Sequence, residues 1–293
     1  MASHITLLPG GKKLQHNSSF FREPYVFKYL PEYIKERFPQ KVYPNGIQIN
    51  LGACAQGEDV WSLEIVLEDD NELLANNSPI NASDINPSVV NMAKSGILSF
   101  LPRTLDKARE VVPNIDRYFD SMPANCTDIS ERQALLDEYK ALLEEGEFKK
   151  RVGSGEKARY ISVKAEEAKL NMLYKISDKL KRRVRFKVID FQKEFDTNHF
   201  DNPCLVIFRN ALQHFNAIER ELFCDSLLKA LKPGSSLVIG SGDISKCVPL
   251  KLIDAGFEPL NPKYSRQEFQ NPANIVKSKD PQANIFEKNR GIN

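Results

Sequence analysis

Residues 47–57 read Ile47-Gln48-Ile49-Asn50-Leu51-Gly52-Ala53-Cys54-Ala55-Gln56-Gly57, and Glu58 to Leu67 continue with apolar residues at helical spacing. The first five residues have the pattern of a strand, the small residues after them that of a tight turn, and the rest that of a helix. A second unit of the same kind follows. Ile80-Asn81-Ala82-Ser83 is strand-like and ends at Asp84, and Pro87 suits the first position of a new helix.

The alternation resumes much later. Val184 to Ile189 and Cys204-Leu205-Val206-Ile207-Phe208 read as strands, and Ala217 to Leu231 as an amphipathic helix closed by Pro233-Gly234. Ser236 to Gly240 gives another central strand, Ser245 to Ala255 a helix, and Phe257 to Leu260 an edge strand interrupted by Pro259. Strands alternating with helices predict an α/β fold with a doubly wound, mainly parallel sheet. Between about Leu98 and Arg183 the texture changes. Ser130-Glu131-Arg132-Gln133 looks like the start of a capped helix, and Gly153-Ser154-Gly155 like a flexible break, so this stretch is expected to be a helical insertion.

Composition narrows the class. The chain has 293 residues, 41% apolar and 27% charged, with a net charge of +2, which excludes collagen-like, disordered and disulfide-scaffold proteins. No apolar run reaches the roughly 18 residues of a bilayer span, and the first residues lack a signal-peptide core, so no membrane insertion is expected and the cytoplasm is the expected location. The five cysteines, Cys54, Cys126, Cys204, Cys224 and Cys247, lack metal-ligand spacing and read as reduced, mostly buried thiols.

In an open α/β sheet the ligand sits at the carboxyl ends of the central strands, where Gly52 to Glu58 falls. The turn reads Gly-x-Cys-x-x-Gly and lacks the middle glycine of the dinucleotide fingerprint. Asp84, ending the second strand, can accept hydrogen bonds from two vicinal ribose hydroxyls, or alternatively cap the next helix. Glu58 would repel a pyrophosphate but suits a cationic ligand. That choice turns the reading from a nicotinamide dinucleotide to S-adenosylmethionine, whose amino and sulfonium groups are positive.

Five ordered stretches then resemble one family. Asn17-Ser18-Ser19-Phe20-Phe21-Arg22-Glu23-Pro24, Gly57 to Leu63, Ser83-Asp84-Ile85-Asn86, Phe208-Arg209-Asn210-Ala211-Leu212-Gln213-His214-Phe215 and Leu231-Lys232-Pro233-Gly234 are similar to successive motifs of the CheR family of chemotaxis-receptor glutamate methyltransferases. The resemblance implies a Rossmann-like class I methyltransferase sheet and S-adenosylmethionine as cofactor. It implies that Arg22 meets the methionyl carboxylate, Ser18 helps hold the cofactor, Glu58 faces its amino group and Asp84 binds the ribose. Gly52 and Gly57 belong to the cofactor turn. Arg209 and Asn210 would line the junction of cofactor and acceptor, and Asp190-Phe191 stand where the family has an Asn-Leu pair near the adenine. The resemblance also implies a division into an N-terminal segment with a cofactor-covering helix, 1–40, and a methyltransferase domain, 41–293, interrupted at about 98–183.

Two features depart from the family. Only 19 residues precede Phe20, so docking through the family's usual N-terminal helical domain is not expected. His214 stands where a tyrosine is usual, and an imidazole can act as acid or base near neutral pH, so the acceptor could differ. A carboxylate acceptor is already ionised at pH 7 and needs no strong general base. Lys149 to Lys187 holds 14 Lys and Arg against 4 Asp and Glu, leaving 27 against 35 elsewhere. The expected partner is therefore a protein substrate, with an acidic helical segment as the target; RNA, a small-molecule acceptor and an inactive cofactor-binding interaction module are the alternatives.

Overall fold

The computed structural model describes residues 4–7, 13–16, 19–70, 73, 79–123, 128–144, 149–152, 159–162, 172–190, 202–245, 248–264, 266–270 and 272–288. In chain order the strands are β1 (His4–Leu7), β2 (Lys13–His16), β3 (Gln48–Gly52), β4 (Ile80–Asp84), β5 (Ile97–Ser99), β6 (Phe119–Ser121) and β7 (Lys149–Val152). They continue with β8 (Arg159–Ser162), β9 (Leu173–Ile176), β10 (Val184–Val188), β11 (Cys204–Phe208), β12 (Ser236–Ile239), β13 (Phe257–Pro259) and β14 (Ile285–Lys288). The main helices are α1 (Pro24–Arg37), α2 (Glu58–Asp69), α3 (Pro87–Ser95), α4 (Ile129–Glu144) and α5 (Ala217–Ala230). The chain divides into two compact units, one of Met1–Arg22, Cys54–Ile65 and Asn86–Val188, the other of Glu23–Ala53, Val66–Ile85 and Ile189–Asn293.

The second unit contains the sheet that the alternation predicts. Its strands run in the order β4, β3, β11, β12, β14, β13; the first four are parallel, and β14 is antiparallel to both β12 and β13. Every residue of β11 and β12 is buried, which explains why Cys-Leu-Val-Ile-Phe is apolar without alternation: a central parallel strand is covered on both faces. Val206, Phe208, Leu237, Ile239 and Phe286 pack with Phe223 and Leu227 of α5. Truncating a residue of this kind, such as Phe208, would cost about 3–5 kcal/mol.

Pro259 sits on the edge strand β13, where its missing N–H is tolerated. α1 turns Val26, Phe27, Leu30, Tyr33 and Ile34 inward. The Tyr33 hydroxyl is 2.5 Å from Ser236 Oγ and 3.1 Å from Glu287 Oε1, and Arg37 pairs with Glu287 at 3.1 Å. Burial pushes the Tyr33 hydroxyl above its ordinary pKa, so it stays protonated.

The first unit corrects one expectation. The insertion is helical only in part: β5, β9 and β6 form a three-stranded antiparallel sheet, and Val89, Met92, Leu135, Leu136, Tyr139 and Leu173 make a separate core with α3 and α4. Short three- and four-residue strands give too little alternation to be read in sequence. A second sheet, β2-β1-β7-β8, joins the N-terminal hairpin to the hairpin of the basic stretch, pairing His4 with Lys150 and Ile5 with Lys149.

Other boundaries shift for local reasons. α4 is capped by Asp128, which accepts the N–H of Ser130 at 2.8 Å, and not by Ser130. In place of one helix over 245–255 there are helices Ser241–Ser245 and Val248–Asp254, the second admitting Pro249 in its first turn, where no helical N–H is lost. β14, which the sequence reading missed, is four residues long and lies between β12 and β13.

Candidate functional site

Strand order reverses at β3, which is flanked by β4 on one side and β11 on the other. Ligands of doubly wound sheets bind outside the carboxyl ends of the strands at such a point. In the second unit those ends carry Gly52 and Ala53 after β3, Asp84 ending β4, Arg209 and Asn210 after β11, and Gly240 to Asp243 after β12.

Asp84 is 3% exposed, and its carbonyl accepts the N–H of Ile189 at 2.9 Å, which brings Asp190 to the same end of the sheet. The helix-capping alternative for Asp84 is excluded by geometry. α3 is capped by Asn86, whose side chain accepts the N–H of Ser88 at 2.9 Å, with Pro87 at the first helical position as predicted. Ser18 and Phe191 lie outside the described residues.

Three loop ends are tied together by carboxylates that the sequence reading did not single out. Asp243 is fully buried and accepts three backbone N–H groups, from Asn210 at 2.5 Å, Gln213 at 3.0 Å and Gly240 at 3.1 Å. Burial raises its carboxyl to a pKa of about 7, with the charge of Glu23 adding to the rise and the three N–H donors opposing it. Glu23 bonds Arg209 Nη2 through Oε2 at 2.7 Å and accepts the Ser241 N–H at Oε1 at 2.8 Å, with the Ser241 hydroxyl on the same oxygen. The Arg209 guanidinium also lies 4.7 Å over the Phe27 ring.

Asn210 adopts a left-handed conformation, φ 57°, with its carboxamide oxygen accepting the Gly242 N–H at 2.9 Å. Its Nδ2 is buried and finds no partner among the described residues. Glycine is required at 240 because a Cβ there would run into the Asn210 carboxamide. The signal for this knot was present: Gly240-Ser241-Gly242-Asp243 is a glycine turn followed by an acid directly after a strand. His214 lies in the short 3-10 helix Leu212–His214, and its side chain is outside the description.

The first unit holds the remaining predicted residues. Phe20 stacks on Phe100 at 4.8 Å and meets Phe21 edge-on at 4.9 Å, and the Phe21 N–H bonds Ser62 Oγ at 2.8 Å, which itself donates to the Glu58 carbonyl at 2.6 Å. The aromatic pair of the Phe-Phe-Arg motif is thus structural, and it anchors Arg22, which is half-buried, to the first turn of α2. Gly57 has φ 91°, and a Cβ there would lie 3.0 Å from both Ala93 Cβ and Trp61 Nε1. Trp61 Nε1 donates to the Ala93 carbonyl at 3.2 Å, so the glycine permits a close helix contact as well as a turn. Glu58 and Asp59 open α2, where acids suit the helix dipole. Cys54, Cys204 and Cys224 are buried free thiols, Cys204 and Cys224 with pKa pushed up to about 12 by burial. Cys126 and Cys247 lie outside the described residues.

Residues 16–132 match the family described as CheR methyltransferase, SAM binding domain. No curated protein matches the chain in sequence. Among solved structures it is similar to magnesium protoporphyrin IX methyltransferase of Synechocystis PCC 6803 with bound SAM (13% identity, 80% of this chain and 70% of that one, TM-score 0.32). A second is an S-adenosyl-L-methionine-dependent methyltransferase of Methanococcus maripaludis (12% identity, 96% and 99%, TM-score 0.33). A third is described under the conversion of a disulfide bond into a thioacetal group during echinomycin biosynthesis (13% identity, 66% of this chain, TM-score 0.27), and the chain spans 41% of its length.

The residues fit S-adenosylmethionine: a buried carboxylate, Asp84, closes β4, the loop beside it turns through left-handed Ala53 and Ala55, and the Asn210 donor is unspent. Among the described residues no helix is long and apolar enough to cross a membrane and no cluster could hold a metal ion. Over residues 16–132 the chain is thus similar to the SAM binding domain of the CheR methyltransferases, and its sheet is a doubly wound, mainly parallel one.

Proposed function

We propose that the protein O-methylates a glutamate side chain of a protein substrate. When bound, S-adenosylmethionine supplies an electrophilic methyl group on a sulfonium. In the first unit Arg22 would hold the methionyl carboxylate and Glu58 the amino group. In the second, Asp84 would hold the ribose hydroxyls, with Asp190 toward the adenine. The observation that carries the acceptor reading is the buried Asn210 Nδ2, a donor without a described partner at the end of β11. An N–H there orients an oxygen acceptor such as a carboxylate, and a carboxylate needs no proton removed.

The basic side of the first unit supports an acidic partner. Pairing of β1 with β7 joins a stretch without Asp or Glu, residues 1–22, to the basic segment, so that Lys13, Lys149, Lys150, Arg151 and Arg159 share one four-stranded sheet. Charge of one sign steers an acidic segment. Arg183 of the basic segment is committed elsewhere: it pairs at 3.0 Å with the buried Glu64.

Incubation with methyl-labelled S-adenosylmethionine and an extract of the host tests the reading. A label on protein that leaves as methanol at alkaline pH is the expected result. A label stable to alkali, or carried on RNA, overturns it.

A further inference from the structure

We propose that Glu23 is a positioning residue for the methyl-transfer site, holding Arg209 and the loop after β12 in one fixed arrangement. The inference rests on reading Arg209 as part of the lining of that site. Glu23 is the residue immediately before α1 and stands in the left-handed region, φ 58° and ψ 63°, with no side-chain bond capping its own helix. A glutamate gains nothing there by itself, because a left-handed residue with a Cβ costs about 1–2 kcal/mol. Its side chain turns to two other loops instead. One carboxylate oxygen takes Arg209 Nη2 at 2.7 Å, and the other takes the N–H and hydroxyl of Ser241.

The geometry makes this more than a surface ion pair. The side chains of Arg209 and Glu23 are 1% and 9% exposed, so the pair is shielded from water and from salt. The Phe27 ring, one turn into α1, closes one face of the guanidinium. Arg209 is thus fixed in plane by the carboxylate and out of plane by the ring. Strain of this kind persists where surrounding bonds over-determine it, and the other non-glycine left-handed residues include Phe21 and Asn210, the neighbours of Arg22 and Arg209. One consequence is that the Arg209 charge is already compensated. An acceptor carboxylate then meets an oriented ion pair and not a bare cation.

Calorimetry with S-adenosylhomocysteine tests this without an acceptor. Glu23→Gln and Arg209→Gln are each expected to weaken binding about tenfold, the scale of one charge-assisted bond. The double variant is expected to bind no worse than the weaker single one, because each substitution removes what the other positions. Losses that multiply, or a Glu23→Gln affinity within twofold of wild type with only the melting temperature lowered, overturn the proposal. Should a glutamine variant not fold, Glu23→Asp keeps the charge and shortens the reach by one methylene. The same tenfold loss is expected from it, and wild-type affinity would refute the clasp. A wild-type chain that does not bind S-adenosylhomocysteine would instead remove the cofactor reading on which Arg209 depends.

Discussion

The strand ends of the sheet are built in two different ways. After β11 and β12 the loops are knotted by carboxylates: Asp243 gathers three N–H groups and Glu23 gathers Arg209 and Ser241. After β3 and β4 the backbone itself does the work, through left-handed Ala53, Ala55 and Gly57 and a separate cap at Asn86. The first kind of end depends on charge and responds to pH. The second depends on shape.

The largest expected effect lies in the knot. Ionised above its pKa, Asp243 is acceptor-only, and Asp243→Asn brings an NH2 against the N–H donors, so the expected loss of stability in urea unfolding at pH ~8 is about 3 kcal/mol. The pH dependence has a definite sign. The folded-state pKa of Asp243 is raised from 3.8 to about 7, so the folded protein holds this proton more tightly than the unfolded chain does. The resulting stability is fully present below about pH 4 and is lost as the pH rises through 7. Unfolding curves between pH 4 and 8 should show this slope in the wild type and a flatter one in Asp243→Asn.

The shape-built end should fail differently. Gly57→Ala forces a Cβ into φ 91° and to 3.0 Å from Ala93 and Trp61, and about 2 kcal/mol of stability should be lost with no added pH dependence. Asp84→Ala should weaken S-adenosylhomocysteine by about 2 kcal/mol, read by calorimetry. An affinity equal to wild type would instead remove Asp84 from the cofactor side of the sheet.

Legibility in sequence follows the same division. β3, β4, β11, β12 and α5 were readable because a central parallel strand and its helix declare themselves by local apolar pattern, and Cys204–Phe208 emerged with its observed bounds. The family motifs pointed to Gly57, Asp84, Arg209 and Asn210 as candidates, each within a few residues of a strand end, and to Arg22, which stands just before α1. Glu23 and Asp243 were missed because their role is long-range. Glu23 meets a residue 186 positions away, and nothing local distinguishes it from any acid before a proline-led helix. β14, four residues long, gained strand character only from its neighbours β12 and β13.

The smallest expected effect concerns the four-stranded basic sheet, where β1 of one hairpin pairs with β7 of the other. Lys149, Lys150 and Arg151 lie on β7, whereas Arg183 holds the buried Glu64 and Lys181 is already 3.0 Å from Asp178. Glutamine at 149, 150 and 151 removes three positive charges from β7. Surface charges act on encounter more than on the bound state, so capture of an acidic peptide should slow severalfold at low salt. The difference from wild type should vanish as ionic strength rises, because the Debye length shortens to about 3 Å at 1 M salt. Affinity for S-adenosylhomocysteine should not change. If it falls with the charge, the basic sheet belongs to the cofactor side after all. If peptide capture is equal in both proteins at every salt concentration, the basic sheet has no part in choosing the partner.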